Sequence, residues 1–410
     1  LFVLPSGEAR LAVGAGYRTS EFKYQDYLGG TVVTQGREAS RFWYAEANLP
    51  LIGPAADGPS AERLTLIAAI RGEDYDSFGR VSTPRLGLIY RPTGDFTLKA
   101  SWGKSFKVPT LYQQYTAQVA WLLPPDDLGT GYADDATVLF MDGGNPNLKP
   151  ERARTWSASL AFHPERLPGL DAELSWFSID YTDRVVQPIT NSVNALSNPA
   201  YAQFVDLEPT ADAQAAVLAR ADSFQNYAGA AYDPAKVIAI LYTQYVNATQ
   251  QRIHGVDLSA SYRMELGAGR LTIRGAGSWL DLSQQTTPTE PYYALSGTLF
   301  SPAKIAGRVG MVWEQGRFSA STFADYTDGV SDTVTGSKQG SFTTVSARIS
   351  VATADQGGPW SGLEVALTAE NLLNRDPPLY AAGATTNPPY DSTNYSAMGR
   401  VLGISLSKTW

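Results

Sequence analysis

The chain reads as an all-β protein, a transmembrane antiparallel β-barrel with long loops at one end and a short helical insert. Three observations predict it. Strand-length stretches in which apolar residues alternate with small or polar ones recur about fourteen times along the 410 residues. Side chains of a strand alternate faces, so each stretch has one greasy and one wet surface. If successive strands alternate in direction, aromatic residues collect in two belts at the margins of the apolar band. Tyr90, Phe96, Phe162, Tyr262, Trp313, Phe318 and Trp410 form one, and Tyr17, Trp43, Trp102, Trp156, Trp279 and Tyr326 form the other. Two belts suit the two headgroup levels of a bilayer. The connections alternate between tight and long, as they do between the two ends of an outer-membrane barrel.

The first strands are expected near Arg10 to Thr19, Arg41 to Leu51, Arg63 to Asp74, Val81 to Arg91 and Phe96 to Ser105. In the last of these, Phe96, Leu98, Ala100 and Trp102 share one face, while Thr97, Lys99 and Ser101 share the other. The next runs from Arg154 to Phe162, with Trp156, Ala158, Leu160 and Phe162 opposed by Thr155, Ser157, Ser159 and Ala161. Leu170 to Tyr181, His254 to Tyr262, Arg270 to Leu280, Lys304 to Trp313, Arg317 to Tyr326, Phe342 to Val351, Gly362 to Asn371 and Gly399 to Trp410 complete the set. Facing follows from the alternation. On the third strand Leu64, Leu66, Ala68 and Ile70 point to lipid and Thr65, Arg71 and Glu73 to the lumen. A slip of one residue would put Arg71 into hydrocarbon at a cost of about 2 to 4 kcal/mol at midplane. The same rule sends Arg18, Glu46, Lys99, Arg274, Arg308, Arg348 and Glu364 to the lumen.

Tight turns are expected at Arg91 to Asp95, His163 to Gly169, Met264 to Gly269 and Glu314 to Gly316. Long loops are expected at Lys107 to Ala153, Thr182 to Ile253, Asp281 to Ala303 and Leu372 to Met398, with the short Tyr75 to Arg80 as an exception on the long-loop side. In the longest loop Thr210 caps an alanine-rich helix running through Ala221. Asp233-Pro234 reads as the start of a second helix over Ala235 to Tyr245.

Composition agrees with a barrel. No run of eighteen apolar residues is present, so no helix crosses the membrane, whereas a barrel strand turns only every second residue to lipid. A net charge of -8 disfavours nucleic acid as a partner. The absence of cysteine excludes disulfides and thiolate metal sites. No metal or other cofactor is implied: the acidic loop residues Asp126, Asp127, Asp134, Asp135 and Asp142 have no ligand spacing of a calcium site. The two histidines, His163 and His254, are far apart in strand order, and no catalytic residue is assigned.

The loops carry instead a supply of aromatic rings with polar handles. Tyr112, Tyr115, Trp121, Tyr132, Tyr292, Tyr293, Tyr380, Tyr390 and Tyr395 are the candidate ligand-binding residues, because such rings suit a flat, partly apolar, hydrogen-bonding small molecule. Packing of the loops on one another is the competing role.

Three motifs punctuate the strands. Asn145-Pro146-Asn147-Leu148-Lys149-Pro150-Glu151 precedes a strand, and its prolines steer a long loop back into extended chain. A solvated turn is the expected setting for Lys149 and Glu151, with contacts in the lumen as the alternative. Ser101 to Leu111 ends a strand in a basic-x-Pro-x-Leu turn. Glu370-Asn371-Leu372-Leu373-Asn374-Arg375 leaves a strand near the end, and the chain closes on the aromatic Trp410. Together, in this order, the motifs resemble the barrel of TonB-dependent outer-membrane receptors. That resemblance implies an active importer in the outer membrane of a Gram-negative bacterium, in contact with outer-membrane lipid, with a ferric siderophore as the default ligand and a glycan or cobalamin as the alternative. It also implies two further partners, TonB and a plug domain of the same protein. Plugged receptors of this kind have about 22 strands, so residues 1–410 are expected to be the C-terminal part of an incomplete barrel, with plug and first strands absent. The first and last strands should then be bare edges. A passive channel or adhesin is the rival class.

Overall fold

The computed structural model describes residues 2–4, 6–25, 32–53, 63–125, 128–129, 131–189, 195–285, 291–333, 336–353, 358, 360–380 and 389–409. Trp410, Asp126 and Asp127 lie outside these residues. A sixteen-stranded sheet dominates. Two of its members, Phe2–Leu4 and Tyr293–Ala294, are short. The other fourteen are the expected strands: β1 (Gly7–Gln25), β2 (Val32–Ile52), β3 (Leu64–Tyr75), β4 (Gly79–Tyr90), β5 (Phe96–Lys107), β6 (Glu151–Phe162), β7 (Leu170–Val186), β8 (Val246–Leu266), β9 (Gly269–Gln285), β10 (Ile305–Gln315), β11 (Phe318–Thr327), β12 (Phe342–Ala352), β13 (Leu363–Glu370) and β14 (Val401–Lys408). They pair in chain order, each antiparallel to the next.

The register confirms the alternation. Ile70 lies opposite Ala45 and Pro84, in the row that continues through exposed Leu86, while Glu73 is buried on the other face. Phe96 stacks on Phe162 at 4.9 Å between ring centroids, and Trp102 lies 6.0 Å from Trp156, so both belts cross from strand to strand. Leu402, Ile404 and Leu406 are 69–79% exposed in one outward row of β14. A row this apolar and this bare is a surface made for lipid. Among the described residues β14 pairs only with β13, and β1 beyond Ala9 pairs only with β2. The barrel is therefore open, with the two expected bare edges.

A polar lumen leaves the wall without a hydrophobic core of its own. The core lies in the loops instead. A five-stranded mixed sheet runs in the order Val205–Leu207, Val237–Tyr242, Thr137–Asp142, Val119–Leu123, Ser223–Asn226. Leu122, Leu139, Met141 and Ile240 are fully buried in it, beside Val217 of the helix Ala211–Arg220. That helix begins as expected, with the Thr210 hydroxyl accepting from Ala213 N at 3.2 Å. The second expected helix does not form. Asp233 does accept from Ala235 N at 3.0 Å, but only a single 3-10 turn, Pro234–Lys236, follows before the chain extends. Val237-Ile238-Ala239-Ile240-Leu241-Tyr242 is β-branched and apolar, and a central place between two strands buries it more completely than an exposed helix could. A short helix, Leu111–Tyr115, was not expected. Thr110 and Gln113 form a capping box at its start, with the two bonds at 3.1 and 2.9 Å.

Candidate functional site

The lumen face carries its densest group of paired charges on the first three strands. Arg18 on β1 and Arg71, Glu73 and Tyr75 on β3 project from the two strands that flank β2, because odd positions of β3 share the inner face with even positions of β1 and β2. Arg71 Nε donates to Glu73 Oε1 at 2.6 Å, and the Tyr75 hydroxyl donates to Glu73 Oε2 at 2.6 Å. Arg18 Nη2 reaches Tyr75 Oη at 3.1 Å and Glu73 Oε2 at 3.5 Å. The Arg71 guanidinium also lies 4.4 Å from the centre of the Phe42 ring. The ring has room because residue 16 is glycine: a Cβ there would stand 2.5 Å from it. One buried carboxylate thus holds two half-exposed guanidinium groups, with a second buried carboxylate, Glu38, close by. A cavity of about 210 Å³ separates the cluster from the Pro109–Leu111 turn, lined by Glu38, Ser40 and Tyr75. The buried Ser40 hydroxyl has no partner among the described residues, and an unpaired buried hydroxyl invites a polar occupant. Elsewhere on the same face Lys99 pairs with Glu173 at 3.2 Å, Arg308 with Asp325 at 3.6 Å and Arg348 with Glu364 at 2.6 Å. These half-exposed pairs add little stability.

The motif around Asn145 turns out to be a lock, not a solvated turn. Glu151 is 3% exposed; it accepts from Lys107 Nζ at 3.2 Å and Val185 N at 3.3 Å, and Tyr181 bonds it as well. A carboxylate that closes three strands together cannot stay in solvent, because each donor it meets has left water too. Asn145 Oδ1 accepts from Asn147 N at 3.0 Å, and its Nδ2 donates to Tyr245 O at 3.0 Å. Leu148 is buried between Pro146 and Pro150, while Lys149 itself is exposed, its backbone held at both ends by Asn247 at 2.7 and 2.8 Å. At the far end Asn371 adopts φ +45°, and its side chain bonds Arg375 N and O at 2.9 and 2.8 Å. Leu372 N donates to Val345 O at 2.7 Å, so the chain leaves β13 while still tied to β12.

The candidate aromatic residues fall into separate groups. Tyr112 meets Phe22 edge-on at 6.3 Å, and the Tyr115 ring lies on the bare backbone of Gly36, so the short helix sits on the β1–β2 ribbon. Trp121 belongs to the loop sheet, 5.8 Å from Tyr227. Tyr132 is exposed over Gly129. Tyr292 and Tyr293 diverge. The Tyr292 ring lies under Arg252 at 4.1 Å and its hydroxyl donates to Gln250 at 2.7 Å, in the row that carries Leu258 outward. Tyr293 accepts from Gln284 at 2.9 Å on the opposite face. Tyr380 meets Phe300 at 6.0 Å, and Tyr390 bridges to Leu379. Tyr395 is buried and donates to Asp328 O at 2.9 Å. Packing of loop on loop therefore occupies Tyr115, Trp121, Tyr380 and Tyr395, while Tyr112, Tyr132 and Tyr293 keep exposed rings.

Electrostatics in the loops follows burial. Burial, helped by Asp391 and Asp328, pushes the Tyr395 hydroxyl up to about 12, and burial likewise raises Tyr245, with Tyr112 and Asp142 adding to it. The Lys236 ammonium, 2.9 Å away, holds the Asp135 carboxyl below its usual range. A tyrosine whose folded value exceeds the ordinary value of about 10 stabilises the fold fully below that pH. The Tyr395 contact is therefore expected to persist through pH 10 and to be lost as the pH rises towards 12. The difference in tyrosinate absorbance between the parent protein and Tyr395→Phe will show this ionisation; one centred near 10 contradicts it.

Among the described residues no group of three or more His, Asp or Glu side chains can hold a metal. His163 pairs with Asp171 at 3.1 Å in the tight-turn end, remote from the loops.

A family model described as TonB dependent receptor-like, beta-barrel matches residues 3–372. The vitamin B12 transporter BtuB of Photobacterium profundum is 27% identical over 132 residues, 32% of this chain and 17% of that protein. A probable TonB-dependent siderophore receptor, PirA, of Acinetobacter baumannii is 27% identical over 121 residues, 30% of this chain and 15% of that protein. Among solved structures, a mutant of the ferric enterobactin receptor PfeA of Pseudomonas aeruginosa superposes with a TM-score of 0.60 at 15% identity, covering 98% of this chain and 51% of the receptor. The chain spans about half the length of the solved receptors it matches. These receptors share its fold, and their family is one of outer-membrane receptors and transporters. On the match across residues 3–372, the chain belongs to the TonB-dependent receptor β-barrel family.

Proposed function

We propose that the intact protein is an outer-membrane receptor that captures a ferric siderophore at its looped end and imports it with energy from TonB. In this reading the chain contributes fourteen strands of the barrel. Two bare edges in hydrocarbon would leave unpaired N–H and C=O groups costing several kcal/mol each, so further strands must close the wall, and a plug domain fills it. The observation that carries the choice of ligand is the pair of half-exposed guanidinium groups, Arg18 and Arg71, held by Glu73 on the lumen face, alongside the exposed loop rings of Tyr112 and Tyr293. A ferric siderophore is flat in part and commonly anionic, so it suits guanidinium donors and aromatic faces. Cobalamin is the second reading, favoured by the B12 transporter among the relatives.

A strain lacking the protein is expected to lose growth on one ferric siderophore as sole iron source and to regain it from a plasmid copy. Loss of TonB should abolish the same uptake; uptake that survives identifies a passive channel instead. Growth that depends on corrinoid supply and on no iron source selects cobalamin. Replacing Tyr292 and Tyr293 together by Ala should weaken uptake, since truncating a good aromatic anchor costs above about 1 kcal/mol. The effect should reside in Tyr293→Ala, because Tyr292 faces the outer row. Unchanged uptake in the double variant would return both residues to loop packing.

A further inference from the structure

The outward face of the wall carries charges that transport through the lumen does not use. Lys104, Arg154, Asp180 and Arg252 stand side by side across β5, β6, β7 and β8, in the row directly beyond Trp102 and Trp156 on the looped side. Arg152 lies one row further out, opposite Phe106. Arg154 Nη2 donates to Asp180 Oδ2 at 3.0 Å. Lys104 and Arg152 are exposed and have no ion pair among the described residues.

The wall is also split there. Pairing between β4 and β5 stops at Arg85 and Gly103, although both strands continue for several residues. A cavity of about 350 Å³ opens in the gap, lined by Ser82, Lys104, Phe106, Arg152, Arg154 and Asp180. The neighbouring groove shares Ser82; it is floored by Ala15 and Gly72, flanked by Tyr17 and Trp43, and crowned by Arg41 and Arg80. In that groove Asp74 offsets the arginines, pairing with Arg80 at 3.2 Å; the excess of cations lies in the gap, where Lys104, Arg152 and Arg154 face the single carboxylate of Asp180.

We infer that this rim is a binding site for the phosphorylated headgroup of an outer-leaflet lipid, whose chains lie along the apolar rows below. The inference rests on the membrane-receptor reading. Three facts choose a lipid over a soluble anion. The row projects from the outward side of β5 to β8, opposite the side that carries the paired charges of the lumen. The cations begin one row beyond the tryptophan belt, which marks headgroup depth. Arg152 and Arg154 project from alternate positions of β6, about 7 Å apart along the strand, with Lys104 beside them, and guanidinium and ammonium groups so spaced suit phosphate oxygens. Basic pockets at a membrane surface recognise headgroups in this way.

The test uses the full-length receptor in neutral detergent with three probes: diphosphoryl lipid A, its dephosphorylated form and inorganic phosphate. The parent is expected to bind the diphosphoryl lipid more tightly than the dephosphorylated one, with affinity falling as salt rises. The Lys104→Ala/Arg152→Ala double variant should bind it at least about tenfold more weakly, the loss expected from removing charge-assisted contacts. Lys99→Ala, on the lumen face, should leave lipid affinity unchanged. Heat-modifiable migration on a gel and ligand uptake report whether each protein is an inserted, working barrel. An inserted, transporting variant with the parent's lipid affinity overturns the site alone, as does displacement of the lipid by inorganic phosphate at comparable concentration. A parent that does not insert overturns the receptor reading and the site with it.

Discussion

Asp391→Ala is expected to unlatch three loops at once while leaving the barrel wall intact. The Asp391 carboxylate is fully buried, and among the described residues it is held by N–H donors and touched by no cation. Phe300 N reaches Oδ2 at 3.1 Å, Thr393 N and Asn394 N reach Oδ1 at 3.0 and 3.2 Å, and Asn394 Nδ2 reaches Oδ2 at 2.8 Å. The oriented Asn394 in turn donates to Ser301 O at 2.7 Å and accepts from Ala303 N at 3.1 Å. Next to it, Tyr395 ties the loop after β11 through Asp328. Removing the carboxylate strands several donors, and each buried, unpaired one costs about 1 to 3 kcal/mol. The wall strands share none of these bonds, so the loss appears as local opening and not as global unfolding. Amide exchange should accelerate in residues 295–303 and 389–398 while the strands keep their protection, and ligand affinity should fall with it. Unchanged exchange in both segments would show that the clasp is not held by Asp391.

Leu174→Arg should prevent or severely reduce insertion of the barrel, whereas Ser175→Arg, one residue on, should assemble. Leu174 lies opposite Leu160 and Leu258 in the outward row, between the Phe96–Phe162 and Trp102–Trp156 pairs. An arginine at that depth costs about 2 to 4 kcal/mol in lipid. Ser175 turns inward, opposite Ser159 and Asp257, where a guanidinium meets a polar lumen with a carboxylate at hand. The readout is the fraction of protein that migrates as a folded barrel from outer-membrane fractions. Equal assembly of the two variants would sink the facing assignment, since the two positions differ in little but the side to which they point.

Much of the wall was legible because its cause is local. Period-two alternation in Phe96 to Trp102 or Trp156 to Phe162 sets which side of a strand is apolar, and a one-residue slip is forbidden by charges such as Arg71 and Glu73. The tight turns placed each strand beside its successor, so chain order became sheet order without further information. Thr210 likewise announced its helix through a cap made by residues three apart.

The loops were legible only as a supply of side chains. Val237–Tyr242 carries a local N-cap signal at Asp233, yet it is a strand because Thr137–Asp142, about a hundred residues away, offers it a parallel partner and a dry core. The same distance hides Glu151, whose partners Lys107 and Val185 arrive from two other strands and turn an exposed-looking charge beside a proline into a buried lock. Tyr292 and Tyr293 are neighbours in sequence and part company in space, since adjacent residues of an extended segment point to opposite faces. By itself, then, the sequence determined the membrane-spanning wall, its facing and its open edges, because these rest on contacts between successive strands and on the solvent each face meets. Only the tertiary structure decided which loop residues lock, which stay open to a ligand and where the outer rim gathers its cations, because those depend on chain segments that meet after long excursions.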